Sequence, residues 1–265
     1  MKYAANSTVW ITGASSGIGK ALAEAYIKKD WQVILSARDE NKLTEISNIY
    51  NHARDNITLA PLDLSKHDTI PEVVKTVLAK VGKVDVLINN AGVSQRCDAI
   101  STPLEIDKYI MNVNYFGAVA LTKALLPSML ARKRGHIAVI SSVQGKIGTR
   151  NRSAYAASKH ALHGFFDSLR AETAGEGIFI TLACPGWIKT DISLNALVAD
   201  GSKYDIRDNR QEKGLNPETC AKRIIRAIES GKEEVIIGGW ETYAVWLKRF
   251  APRLLSRLLR RFEAK

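Results

Sequence analysis

Thr8-Val9-Trp10-Ile11-Thr12-Gly13-Ala14-Ser15-Ser16-Gly17-Ile18-Gly19-Lys20 is the stretch that decides the fold. Thr8–Thr12 is a short β-rich run. Three glycines in GxxxGxG spacing follow it, and a helical pattern then runs from Lys20 to Lys29. A strand, a glycine turn and a helix in direct succession gather free backbone N–H groups and the positive end of a helix at one point, which suits a phosphate. Glycines let the chain turn tightly and let a pyrophosphate approach without a Cβ in its way. The spacing is not the GxGxxG of many dehydrogenases, so the strand–loop–helix setting carries more weight than the glycines alone.

The alternation continues outward from this unit. Further strands are expected at Gln32–Ser36, Ile57–Ala60, Val84–Ile88, His136–Ile140, Ile178–Ala183 and Glu234–Ile237. Helical patterns cover Asp39–Tyr50, Ile70–Val81, Pro103–Ala131, Ser153–Ala174 and Pro217–Ser230. Strands alternating with helices predict an α/β fold. The natural form is a single Rossmann-type, doubly wound, parallel seven-stranded sheet with helices on both faces. A length of 265 residues fits one domain. We assign residues 1–239 to the dinucleotide-binding and catalytic domain, with a polar lid at about 187–216, and 240–265 to a basic C-terminal extension. A connection as long as the lid is usually functional.

With 46% hydrophobic and 25% charged residues, the balance is that of an ordinary globular protein and excludes wholesale disorder or a membrane bundle. No apolar run is long enough to predict a transmembrane helix, and MKYAANSTVWITG has no signal-peptide pattern. Cys97, Cys184 and Cys220 are odd in number and far apart, which predicts free thiols, a reducing compartment and a cytoplasmic location. No cluster has zinc-ligand spacing, so no metal is expected. The net charge is +11, yet Trp240–Lys265 alone holds seven Lys/Arg against two Asp/Glu. This concentration points to an anionic surface or ligand near the tail, not to a nucleic-acid-binding body.

Tyr155 and Lys159 are four residues apart in a helical pattern and so share a face. A phenol is a poor base at neutral pH, and a nearby ammonium favours phenolate and prepares it for proton transfer. Ser142 precedes Tyr155 by 13 residues. Together with TGASSGIG, Asn89-Asn90-Ala91-Gly92, Asn114 in NVNYFG, Tyr155 and Lys159 in YAASK, and Pro185-Gly186, this sequence resembles the short-chain dehydrogenase/reductase family over about residues 7–240. The resemblance implies an NAD(P)-dependent oxidoreductase. Tyr155 would exchange a proton with the substrate oxygen, and Ser142 would hydrogen-bond that oxygen. Lys159 would contact the nicotinamide ribose and lower the Tyr155 pKa. Asn114 would hold a water linking Lys159 to solvent. The cofactor set implied is Gly13, Ser15, Ser16, Gly17, Ile18, Gly19, Arg38, Asp63, Leu64, Asn90, Ala91, Gly92, Tyr155, Lys159, Pro185, Gly186, Ile188 and Thr190. The coenzyme expected is NADP (NADPH) rather than NAD. The second strand ends at Ala37-Arg38, where an acidic residue would bind a ribose 2′-hydroxyl and a guanidinium suits a 2′-phosphate. Ser141, His160 and His163 are expected to be structural.

On the substrate side, Arg96, Lys146, Arg150, Arg152, Lys189, Lys203, Arg207, Arg210 and Lys213 crowd the motifs and the lid. They read either as a pocket for an anionic carbonyl or as solvated loop charges. The tail places Tyr243, Leu247, Phe250, Leu254, Leu258 and Phe262 near helical period, with basic residues between and Pro252 as a break. A peripheral membrane contact and a helix covering the pocket or a neighbouring subunit both fit. GKIGTRNRSAYAASKHALHGFFDSLRAE and LNALVADGSKYD are similar to the vertebrate subgroup that includes an acyl/alkyl-dihydroxyacetone-phosphate reductase, here without that subgroup's N-terminal membrane anchor. The resemblance also implies a small-molecule carbonyl substrate and a homodimer or homotetramer through Pro103–Ala131 and Ser153–Ala174. The rival readings are an epimerase or dehydratase using the same pair, and a nucleotide-binding sensor or interface protein without turnover.

Overall fold

The computed structural model describes Tyr3 and residues 6–262, apart from the side chains of His52, Arg261 and Phe262. The ends of both assigned segments, at residues 1–2, 4–5 and 263–265, and the tail side chains Arg261 and Phe262, lie outside the described residues. Seven parallel strands run β1 (Thr8–Thr12), β2 (Gln32–Ser36), β3 (Ile57–Leu59), β4 (Val86–Asn89), β5 (Gly135–Ile140), β6 (Ile178–Pro185) and β7 (Glu234–Ile237). Their spatial order is β3-β2-β1-β4-β5-β6-β7. The order reverses direction between β1 and β4, which opens a crevice at the carboxyl ends of those two strands. The expected α/β class, seven strands and parallel pairing are all present.

Central strands are apolar on both sides because helices cover both faces. Val9, Ile11, Leu35, Val86 and Ile88 pack toward one helical layer, which includes Leu22 and Ile224. Trp10, Ile34, Leu87 and Val139 pack toward the other, with Leu121, Leu125 and Phe166. Several polar groups buried against the sheet are paired. Trp10 Nε1 donates to Ser36 Oγ (2.8 Å), and Ser36 Oγ donates to the Ala60 carbonyl (2.6 Å). His136 is fully buried on β5, with Tyr3 OH 3.0 Å from Nδ1 and Thr181 Oγ1 2.8 Å from Nε2. Thr181 donates onward to the Lys232 carbonyl, so the neutral Nε2–H tautomer completes the chain. Burial pushes this imidazole down to about 4, which keeps it neutral.

The helices are α1 (Gly17–Ile27), α2 (Glu40–Ile49), α3 (Ile70–Val81), α4 (Leu104–Met111), α5 (Gly117–Ala131), α6 (Ser153–Glu172), α7 (Asn209–Glu212), α8 (Pro217–Glu229), α9 (Tyr243–Phe250) and α10 (Pro252–Phe262). Two differ instructively from the sequence pattern. Helix α1 begins three residues before the expected Lys20, inside the glycine motif, because Gly17 and Gly19 belong to its first turn. The stretch expected as one helix from Pro103 to Ala131 is α4 and α5 joined by a π-turn at Asn112–Phe116. The lid contains the short α7 and is otherwise held by isolated bridges and loop hydrogen bonds. Pro252 separates α9 from α10, since its ring cannot continue a helix. Among the described residues, no helix is long and apolar enough to cross a membrane.

Candidate active site

The crevice is built first from the glycine loop. Gly13 and Gly17 adopt φ of +64° and +52°, a backbone that other residues rarely take. A Cβ on Gly13 would stand 2.9 Å from Ala91 Cα, and one on Gly17 would stand 3.0 Å from Thr190 Cγ2. The loop is thus closed in by the Asn90–Gly92 segment on one side and by Thr190 on the other. Ser16 caps α1 with its hydroxyl making no capping bond, and the first turn of α1 carries no acidic residue. This bare, positively polarised helix end fits the pyrophosphate of a dinucleotide.

Thr12 and Asn90 fix the loop from behind. Thr12 Oγ1 accepts from Asn90 N (3.0 Å) and Ala91 N (3.1 Å). Asn90 Nδ2 donates to the Thr12 and Gly13 carbonyls (2.8 and 3.3 Å). The side-chain amide donor of Asn90 therefore shapes the cradle, and Thr12, not singled out from sequence, is its partner. Asp63 sits after β3 and accepts from Ser65 N and Oγ. Burial raises its pKa, but the Ser65 bonds and the charge of Arg38 outweigh that and hold it below the usual carboxylate value. Arg38 is exposed and donates through Nη1 to Tyr109 OH (2.9 Å), so its guanidinium reaches from the end of β2 toward α4. Leu64 is buried against α5, where a Cβ on Gly117 would collide with it. Ser15 and Ile18 are half-buried within the same loop and first helical turn.

On the other bank lie the end of β6 and the base of the lid. The Pro185 carbonyl accepts from Ser142 Oγ (3.3 Å). Gly186 has a packing reason of its own, because a Cβ there would run into Glu241. Glu241 is buried, and its Oε1 accepts from Trp187 N and Gly239 N (3.0 Å each). Ile188 is buried in the core below the lid.

Helix α6 brings the proposed chemistry together. Tyr155, Lys159 and Ser142 are all buried. Burial pushes the Tyr155 phenol above its ordinary value, while the charge of Arg152 and a hydrogen bond from Ser142 pull the other way. Arg152 therefore acts on the phenol in this state, a role the sequence did not suggest. Lys159 Nζ donates to the Ile140 carbonyl (2.8 Å) and lies 5.8 Å from the Tyr155 ring centroid. Burial pushes its ammonium down to about 8, which leaves it mostly charged at neutral pH. Gly92 keeps this space open, since a Cβ there would sit 3.1 Å from Asn114 Oδ1 and 3.4 Å from Lys159 Nζ.

Asn114 lies in the π-turn, a helix irregularity often found at functional sites. Its Oδ1 accepts from Val93 N (2.8 Å), and Nδ2 donates to the Val93 carbonyl and Ser158 Oγ (2.9 Å each). The amide thus ties the π-turn to the segment after Gly92 and to α6. Gln95, another residue the sequence did not flag, is fully buried, and its Oε1 accepts from Ala154 N (2.9 Å). Helix α6 has no side-chain cap of its own, so Gln95 satisfies its first turn from a distance. Behind the site, Ser141 Oγ lies 3.0 Å from His163 Nε2, and His163 packs beside Cys184. Among the described residues His163, Cys184 and Glu234 bring ligand atoms within 4.8 Å of one another, but Lys146 already pairs with Glu234 at 2.6 Å.

The basic residues do not form the open positive pocket allowed for by the sequence. Arg96 and Arg152 both pair with Asp208 of the lid, Lys146 with Glu234, and Arg207 with Asp191 and Glu212. Arg210 lies 5.9 Å from the Trp187 ring centroid. Lys189, Lys203 and Lys213 are the exposed lid lysines among those named, and Arg150 is also exposed. Charges that count separately along a sequence have found partners in three dimensions. Backbone bonds from Arg96 N to the Leu197 carbonyl (2.8 Å) and from Leu197 N to the Ser94 carbonyl (2.9 Å) hold the lid to the same segment.

The family model described as short chain dehydrogenase matches residues 7–198. The chain belongs to the short-chain dehydrogenase/reductase family. It is 42% identical over 264 residues to dehydrogenase/reductase SDR family member 7B of Xenopus laevis, covering 97% of this chain and 82% of the relative. It is 45% identical over 257 residues to dehydrogenase/reductase SDR family protein 7-like of Drosophila melanogaster, covering 93% and 77%. A short-chain dehydrogenase from Streptomyces avermitilis superimposes over the whole of both chains with a TM-score of 0.83 at 28% identity. A short-chain dehydrogenase/reductase from Burkholderia phymatum, solved with NAD, gives 0.86 over 96% of each chain at 23% identity, a likeness of fold. As a member of this family the protein is an oxidoreductase with a Rossmann-type nucleotide-binding fold.

The Lys159 environment sets a pH dependence for that oxidoreductase. Its folded pKa is lowered, so the ammonium is present below about pH 8 and lost above it. For the oxidoreductase reaction, kcat/KM for the nicotinamide coenzyme at saturating substrate is expected to be flat near neutrality. Above about pH 8 it should fall by about tenfold per pH unit. A profile still flat two pH units higher would show that this ammonium is not needed.

Proposed function

We propose that the protein is an NADP-dependent carbonyl reductase acting on a lipid-like or anionic ketone. The observation that carries the reading is the buried Ser142–Tyr155–Lys159 group, with the Ala91–Gly92 segment lying against both Lys159 and the glycine loop. When bound, the nicotinamide coenzyme supplies or accepts the hydride. Tyr155 OH donates the proton to the substrate oxygen in reduction. Ser142 OH donates a hydrogen bond to the same oxygen as negative charge develops. Lys159 holds positive charge next to the phenol and fixes the ribose, and Asn114 positions the water that returns the proton.

The NADP preference rests on Arg38 just after β2, with Ala37 and not an acidic residue in the place before it. Replacing Arg38 with serine is expected to raise KM for NADPH by ten- to a hundredfold, or about 1.4–2.8 kcal/mol, and to leave NADH almost unchanged. Equal losses with both coenzymes would remove Arg38 from the 2′-phosphate site.

An anionic substrate is supported by Arg96 and Arg152, which converge on one carboxylate close to Tyr155. The same two guanidiniums suit a phosphate or carboxylate on the substrate once Asp208 gives way. Likeness to the acyl/alkyl-dihydroxyacetone-phosphate reductase subgroup points the same way. A carbonyl panel under NADPH tests this: faster turnover of acyl-dihydroxyacetone phosphate than of its dephosphorylated form supports it, and the reverse order discards the anionic substrate.

We also infer a homo-oligomer formed through α5 and α6. Its support is the outer face of α5, where Phe116, Val119, Ala120 and Ala124 line an open cleft of about 550 Å³. Sedimentation velocity should give a dimer or tetramer that Phe116→Asp dissociates, and a monomeric wild type would refute it.

A further inference from the structure

Beyond the catalytic crevice, the most distinctive surface belongs to the tail. Trp240, Tyr243, Trp246 and Phe250 are 64%, 71%, 58% and 77% exposed, and Leu254, on α10 beyond the Pro252 break, is about half exposed. Their spacing of three or four residues aligns them along one face. Trp246 and Phe250 stack with centroids 6.2 Å apart and planes nearly parallel. On α10, Leu255 is buried. An exposed row of four large aromatics is not how a surface helix ordinarily faces water.

Charge identifies what the row faces. From Tyr243 to Phe262 the sequence has six Lys/Arg and no Asp/Glu. Lys248, Arg249, Arg253, Arg257 and Arg260 have no acidic neighbour on their own helices. A second copy set against this surface would bring cations against cations. An anionic bilayer supplies both complements: phosphates for the basic residues and a headgroup–acyl boundary for Trp, Tyr and Phe.

We propose that α9 and α10 form an interfacial docking surface for anionic phospholipid, with the aromatic row lying in the headgroup layer. The surface is joined to the active-site entrance. Trp240 packs edge-on against Trp187 at 5.0 Å, and Glu241 binds Trp187 N. Docking therefore sets the base of the lid at the membrane, whatever carbonyl the enzyme reduces.

The test is co-sedimentation of the full chain with vesicles of phosphatidylcholine alone and of phosphatidylcholine with phosphatidylserine. Wild type should bind the phosphatidylserine vesicles, weakly or not at all the neutral ones, and less as salt rises. Arg253→Gln with Arg257→Gln should weaken binding about twentyfold, and Trp246→Ala with Phe250→Ala about tenfold or more. Both variants should keep wild-type melting and NADPH turnover with a water-soluble carbonyl, since neither pair is in the catalytic machinery. Wild type that ignores phosphatidylserine vesicles, or variants that bind them equally well, overturns the proposal. So does a wild-type dimer in solution that the Trp246→Ala, Phe250→Ala variant dissociates, because the row then faces a second copy.

Discussion

Tyr155→Phe is expected to lower kcat for carbonyl reduction by about a thousandfold, or about 4 kcal/mol of transition-state stabilisation. The phenol is buried, and burial holds its proton at neutral pH. The hydroxyl therefore carries the proton that reduction needs, and the phenolate left behind faces the charges of Lys159 and Arg152. Removing one oxygen leaves the ring to fill the same space, so α6 should keep its packing. NADPH affinity should change by no more than about twofold, because the pyrophosphate cradle lies on α1. This separation gives the result its meaning. Loss of kcat with retained coenzyme binding identifies a proton donor. Retained turnover would refute the tyrosine mechanism and favour a nucleotide-binding protein whose chemistry lies elsewhere. Loss of both would mean that the ring's hydroxyl is structural.

The second large effect is expected at Gly19. A Cβ at this position would collide with the Gly13 carbonyl oxygen, a backbone atom that cannot swing aside. Gly13 itself cannot retreat, because Ala91 Cα stands behind it and Asn90 Nδ2 holds its carbonyl. Gly19→Val must therefore open the whole loop, and NADPH affinity should fall by at least about a hundredfold, or about 2.8 kcal/mol. Gly164→Ala is the control. It lies within α6, where an added Cβ meets nothing within 4 Å. There the change should stabilise the protein by about 0.5–1 kcal/mol, because alanine has less unfolded freedom to lose. Calorimetry with and without NADPH reads both quantities. A Gly19→Val protein that binds NADPH normally would show the glycine to be incidental to the cradle.

Local pattern carried most of the architecture. β1, β2 and β7 match their expected limits because an apolar β-rich run bounded by turn residues is a local signal. Asp39 likewise caps α2 by accepting from Lys42 N, as its place before a charged helix suggests. The π-turn carried no comparable mark, since Asn112–Phe116 reads as ordinary helix when its neighbours are unknown. What sequence could not carry was partnership at a distance. Gln95 looks like a loop polar residue until the start of α6 arrives to be capped. Glu241 looks like a solvated acid until Trp187 N donates to it. Arg96 and Arg152 look like separate loop charges until Asp208, far along the chain, pairs with both. In each case the deciding neighbour lies tens of residues away, beyond any helical or strand period.

The π-turn between α4 and α5 sets a rule about chain length. Such a turn amounts to one extra residue in an α-helix, and each residue turns the helix by roughly 100°. A single residue lost from Asn112–Phe116 would restore regular winding and keep α5 in phase, but one lost from α4 with the π-turn kept would rotate α5 by that angle. Leu121, Leu125 and Met129 would leave the sheet, and Thr122 would lose Asn89, whose amide it now accepts at 2.9 Å. The lid can gain or lose residues at its exposed turns without such a cost. Across a lineage, then, the count of residues from Leu104 to Ala131 should change only by the one residue that the π-turn takes up, while the lid varies freely. Insertions and deletions, more than substitutions, should record where this enzyme has been able to change.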